Sequence, residues 1–258
     1  MNSNWRGNEY TMQINIFGTA DRSGLEAAKV SAQILEAAIA KQGNARIVLS
    51  TGASQFAFLE HFIKMDIKWD KVEMFHLDEY IGLPESHVAS FRKYLKERFL
   101  QFVSIKQAHL VNGEVDPVQE VARLNEEISK APIDLALIGI GENAHIAFND
   151  PPADFVDEAP YKVVNLNDTC KMQQVGEGWF ATLNDVPKQA ITMGVQQILK
   201  SKHIISVVPN LAKADAVVNT LSGKVDPLVP ATILKTHDNW QLYLDQHSAS
   251  KVVQWCDE

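Results

Sequence analysis

The polar reactivity of this chain is concentrated in one short stretch, Glu142-Asn143-Ala144-His145-Ile146-Ala147-Phe148-Asn149-Asp150. An imidazole flanked by carboxylates and amides can take and give protons near neutral pH. A second group of interest is the acid pair Asp78-Glu79, which follows an apolar run. Two adjacent acids are candidates for general-base work, although an arbitrary pair of this kind is more often a helix cap or a solvated turn. A third is Thr51-Gly52-Ala53-Ser54. Its backbone N–H groups and hydroxyls could converge on an anion at the positive end of a helix, or simply start that helix. It lacks the Gly-Lys-Ser/Thr of a Walker loop. Lys213 is the fourth: in the first turns of a later helix it can reach an anion there, or stay solvated.

These residues need elements to hold them. Asp134-Leu-Ala-Leu-Ile-Gly-Ile-Gly141 is an apolar run ending in glycines, which predicts a buried parallel strand opening into a tight turn. Ligands in open α/β sheets bind at such carboxyl ends. Further strands are predicted at residues 12–17, 46–50, 72–77, 161–166, 203–208 and 241–245, with residues 108–111 a short strand or turn and residues 187–194 a strand leading into a helix. Helices are predicted from Asp21 or Ser23 to Gly43, over 90–99, from Asp116-Pro117 to Ser129, from Asn167 or Asp168 through Val175, and after Pro209. Gly176 to Phe180 reads as a turn with two aromatics. Alternating strands and helices predict a mostly parallel sheet with helices on both faces. The chain reads as a single domain, with residues 151–185 as a lid or insertion.

Composition narrows the partners. The 258 residues carry a net charge of -8 and no long Lys/Arg cluster, which argues against nonspecific nucleic-acid binding. The segment Met1 to Thr11 is polar and lacks an apolar signal region, and no apolar run approaches membrane length. Cys170 and Cys256 are far apart and match no metal spacing, so a reduced, cytoplasmic protein is expected.

Taken together, four segments resemble one family. Phe75-His-Leu-Asp-Glu-Tyr-Ile-Gly-Leu-Pro84, Gly139-Ile-Gly-Glu-Asn-Ala-His-Ile-Ala-Phe-Asn-Asp-Pro151 and Val186-Pro-Lys-Gln-Ala-Ile-Thr-Met-Gly-Val195 are similar to segments of glucosamine-6-phosphate deaminases (isomerases), and Thr51 to Ser54 sits where their phosphate loop sits. The resemblance covers roughly residues 12–245. It implies a three-layer α/β/α, modified Rossmann-like fold without a nucleotide. It also implies conversion of glucosamine 6-phosphate and water to fructose 6-phosphate and ammonia, with no cofactor and no metal. His145 takes the ring-opening role, Asp78 the proton shuttle between C2 and C1, Asp150 the support of the imidazole, and Glu79 a lesser part in the acid pair. Such chemistry needs a base within hydrogen-bond reach of a carbon acid.

Three departures from the family pattern stand out. Asn143 replaces a carboxylate found in many members, Ala144 stands where glycine provides close approach or positive φ, and the phosphate-site Arg is absent. Lys171 is the implied substitute, as a point charge without the bidentate fork; Lys213 resembles the second cationic phosphate ligand. An isomeric amino-sugar phosphate fits as well. The alternatives are a 6-phosphogluconolactonase, which shares the fold and a similar turn, and a noncatalytic sugar-phosphate-binding protein. The resemblance leaves room for a homo-oligomer.

Overall fold

The computed structural model describes residues 2–6 and 11–252, so Cys256 lies outside the described residues. In chain order the strands are β1 (Asn2–Arg6), β2 (Thr11–Phe17), β3 (Ala45–Leu49), β4 (Val72–His76), β5 (Asp78–Tyr80), β6 (Gln107–His109), β7 (Leu135–Leu137), β8 (Tyr161–Asn165), β9 (Gln189–Met193), β10 (Ile204–Val208) and β11 (Trp240–Asp245). The helices are α1 (Ala20–Gln42), α2 (Phe56–Phe62), α3 (Phe91–Leu95), α4 (Pro117–Ser129), α5 (Asp168–Gly176), α6 (Val195–Leu199) and α7 (Ala214–Ser222).

The main sheet runs β1-β2-β11-β10-β7-β3-β4-β6. It is parallel except that β1 pairs antiparallel with β2. Its central strands are apolar on both faces, as strands covered by helices on both sides must be. The period of two sorts them cleanly. Val48, Ala136, Ile204 and Val208 join a core with α4, α6 and α7, while Ile47, Leu49, Leu135, Leu137, Ile205 and Val207 join one with α1, α2 and α3. This is the expected three-layer α/β/α arrangement.

Part of the expectation changes. β5, β8 and β9 do not extend the main sheet. They form a separate antiparallel sheet, ordered β5-β9-β8, with Asp78 opposite Thr192. Its core of Tyr80, Phe148, Leu166, Cys170 and Phe180 packs under α5. The chain leaves β4 at His76 and, after one residue, re-pairs as β5, so Asp78 is a strand residue rather than a turn residue. The N-cap of α1 is Thr19, whose hydroxyl accepts from the Arg22 N–H; Ser23 is buried inside the helix. Asp116, Asn167 and Ser90 cap α4, α5 and α3, each accepting a backbone N–H three residues on. No helix among the described residues is long and apolar enough to cross a membrane.

Candidate active site

The turns after β10, β7 and β3 and the start of β5 converge on a cavity of about 250 Å³, closed on one side by α5. These are carboxyl ends of neighbouring parallel strands, beside the place where the strand order reverses.

The turn after β7 builds the His145 corner. The Gly141 N–H donates to the His145 carbonyl, and the Ala144 N–H to the Gly141 carbonyl. The imidazole lies over Gly141 so closely that a Cβ there would stand 2.1 Å from the ring. Ala144 has φ 64°. It is an L-residue in the left-handed region, at a cost of about 1–2 kcal/mol. Its methyl is buried in the core and its carbonyl accepts from the Ala231 N–H, so the surrounding structure holds it there. Ala144 thus adopts a positive φ of the kind glycine takes without strain.

Asn143 is the direct partner of the imidazole. Its Oδ1 lies 2.6 Å from His145 Nδ1 and 3.2 Å from the His145 N–H, and its Nδ2 donates to Asp150 Oδ1 at 3.2 Å. Asp150 Oδ1 is 3.5 Å from Nδ1. Asp150 therefore supports the ring through its charge and through Asn143. An amide oxygen fixes the proton on Nδ1 and leaves Nε2 with a lone pair. Burial pushes the His145 pKa down, and Lys213 adds to this, while Asp150 and Glu177 oppose it. The net shift favours the neutral ring.

Asp78 lines the cavity, and its carboxyl makes no hydrogen bond or ion pair among the described residues. Burial, and then the Glu79 charge, hold its pKa well above the ordinary range. Glu79 is completely buried and does not line the cavity. It accepts from Ser90 Oγ at 2.8 Å, from the Arg92 N–H at 2.9 Å and from Arg92 Nε at 3.2 Å. It anchors the start of α3 and reaches the site only as a charge beside Asp78.

The opposite end of the cavity carries Thr51, Gly52, Ala53, Ser54 and Lys213. Gly52 (φ 104°) makes a turn closed to most side chains, and Tyr94 Oη pins it by donating to the Gly52 carbonyl at 2.9 Å. Burial lowers the Lys213 pKa; Glu177 and Glu142 raise it. Lys171 does not line the cavity; it faces Asp168 at 3.9 Å on α5.

Several lining residues escape sequence reasoning. Ser50 lines the cavity at the end of β3, and its buried hydroxyl has no hydrogen-bond partner among the described residues. Asn210 (φ 81°) turns the chain into Lys213, with its N–H held by the Asp245 carboxylate at 3.1 and 3.2 Å. Gln173, Gln174, Glu177 and Trp179 come from α5 and the turn after it. Their only sequence signal is the aromatic turn at Gly176 to Phe180. Among the described residues, the His/carboxylate side chains close enough to share an ion are Glu73, His109 and Glu127; they lie outside the cavity, and Arg46 already pairs with Glu73 at 2.9 Å.

Residues 19–243 match the family described as glucosamine-6-phosphate isomerases/6-phosphogluconolactonase. The chain is 33% identical to the glucosamine-6-phosphate deaminase of Streptococcus equi subsp. equi (strain 4047) over 88% of this chain and 96% of that protein. It is 36% identical to the deaminase of Streptococcus suis (strain 05ZYH33), over 89% and 96%. The solved structure of a monomeric glucosamine-6-phosphate deaminase superposes with a TM-score of 0.84 at 28% identity, covering 93% of this chain and 100% of that one. A 6-phosphogluconolactonase from Trypanosoma brucei superposes with a TM-score of 0.78 at 14% identity, over 95% and 100%, which is a likeness of fold alone. The chain belongs to the glucosamine-6-phosphate isomerase/6-phosphogluconolactonase family.

Proposed function

We propose that this protein deaminates an amino-sugar phosphate, converting glucosamine 6-phosphate and water to fructose 6-phosphate and ammonia. The observation that carries the reading is the sharing of one cavity by an imidazole whose Nδ1 is held by Asn143 and a buried carboxyl with no partner among the described residues. A lactonase has no need of a buried carboxyl to move a carbon-bound proton.

Each residue has a task in this reading. Thr51 to Ser54 and Lys213 bind the 6-phosphate. Asn143 holds Nδ1–H, so His145 Nε2 takes the O1–H proton as the C1–O5 bond breaks and returns it to O5. Asp150 favours the imidazolium that forms in between. In the open chain, C2 lies beside the C1 aldehyde and its proton is acidic. The Asp78 carboxylate takes it as O1 gains a proton shed by the C2 ammonium, giving a neutral enolamine, and Asp78 then delivers its proton to C1. The resulting C2 iminium adds water and expels ammonia. A raised pKa makes Asp78 a stronger base once it is ionised. Within residues 151–185, α5 and the turn after it supply one wall of the cavity.

The test is a parallel assay of ammonia release from glucosamine 6-phosphate and galactosamine 6-phosphate, and of 6-phosphogluconolactone hydrolysis. Ammonia from either sugar supports the reading and names the epimer. Lactone hydrolysis alone overturns it.

A further inference from the structure

The charges in the cavity suit a zwitterion better than a plain sugar phosphate. Among the described residues that line it, Lys213 is the one cation, and it shares the space with the carboxyls of Asp78, Glu142 and Glu177. A ligand that brings only a phosphate dianion meets more like charge than unlike, and like-charge juxtaposition is a means of rejecting the wrong ligand.

Glu177 is the carboxylate built to be read. It sits at the end of α5, and its two oxygens are held separately. Gln173 Nε2 donates to Oε1 at 2.8 Å and Trp179 Nε1 donates to Oε2 at 3.1 Å. Both partners also line the cavity. Glu142 and Glu177 are both exposed to solvent, but Glu142 has no hydrogen bond or ion pair among the described residues to fix its rotamer. Glu177 lines the same cavity as His145 and Lys213, and its charge acts on both. A carboxylate whose rotamer is already fixed loses little freedom on binding, and a charge-assisted hydrogen bond to it is stronger than a neutral one.

We propose that Glu177 is a specificity-determining residue that receives the cationic C2 amino group, so that the site selects an amino-sugar phosphate over a sugar phosphate carrying a neutral C2 hydroxyl. This rests on the deaminase reading, and it gives the α5 segment a role in substrate choice rather than in proton transfer.

The test compares KM for glucosamine 6-phosphate with the competitive inhibition constant of glucose 6-phosphate, which differs at C2, in the wild type and in Glu177→Gln. Gln keeps an acceptor for Trp179 and removes the charge. KM is expected to rise by about tenfold or more, the worth of one hydrogen bond to a charged group, while the glucose 6-phosphate constant stays the same or falls. Glu177→Asp, which keeps the charge but withdraws it, is expected to retain part of the discrimination. Equal shifts in both constants, or no shift in either, would overturn the proposal. A wild type that releases no ammonia sinks the deaminase reading separately. In that case, calorimetric dissociation constants for the same two ligands still decide the role of Glu177.

Discussion

At the scale of single residues, the cavity holds two side chains whose pKa values are displaced by burial, Asp78 upward and His145 downward. Asp78 is buried without a donor, next to Glu79, so its proton is held more tightly in the folded chain than in the unfolded one. The sign follows. Between the ordinary Asp pKa and the raised one, the folded state binds more protons, so this residue's contribution to stability falls as pH rises through that window. Asp78→Asn, which cannot ionise, is expected to have a higher denaturant midpoint than the wild type at pH 7 and to lose that pH slope. Urea unfolding of the two proteins at several pH values checks this; a less stable variant at neutral pH would mean that the carboxylate has a partner in the fold. Asn143 shows why a residue that cannot ionise is suited to its place. It fixes the tautomer of His145 with an amide oxygen and passes the hydrogen-bond chain on to Asp150.

At the scale of elements, the glycine-terminated β7 and the turn after it set the position of the imidazole. Gly141→Ala is expected to push the His145 ring out of place and cut turnover about a hundredfold, the cost of misplacing a catalytic group by an ångström. Circular dichroism would show the fold retained, and wild-type turnover would show that the ring has room after all. Glu79 belongs to this scale rather than to the chemistry. Truncating it to Ala removes the acceptor of the Arg92 N–H and Nε and leaves Arg92 with the half-exposed Glu114 at 3.0 Å as its remaining ion pair, which is expected to cost about 1.5–3 kcal/mol of stability. Chemical denaturation checks it; an unchanged midpoint with impaired turnover would instead assign Glu79 to catalysis.

The sequence is most legible where one period decides the outcome. The buried strands around β7 show as apolar runs, and α4 runs from Pro117 to Ser129 as its Asp116-Pro117 start implies. The second sheet is not legible, because Asp78-Glu79-Tyr80 is too short for any periodicity and pairs with β9, far along the chain. At the site, Asp78 and His145 are carried by their own motif segments. Asn210 and Glu177 are not, since one depends on a backbone turn and the other on where α5 packs.

At the scale of the whole molecule, the fold buries another histidine that it keeps neutral. His76 at the end of β4 is fully buried, and its Nε2 accepts the Val111 N–H at 2.7 Å. Burial, with Arg92 and Arg123 nearby, lowers its pKa from 6.5 to about 3. Below pH 6.5 the unfolded chain takes up a proton that the folded chain refuses until about pH 3. Stability from this group is thus full above that window and falls on acidification by about 1.4 kcal/mol per pH unit. His76→Gln, which keeps an acceptor, is expected to flatten the fall in denaturant midpoint between pH 6 and 4. A slope identical to the wild type would place the acid sensitivity elsewhere.

The central claim is that one cavity opens an amino sugar with His145 and moves a carbon-bound proton with Asp78. Its most direct test is ammonia release from saturating glucosamine 6-phosphate by the wild type and by Asp78→Asn. The wild type should release ammonia together with fructose 6-phosphate, and the variant should be slower by about a hundredfold or more while still binding the sugar phosphate. Equal rates from the two proteins, or no ammonia from the wild type, would contradict it.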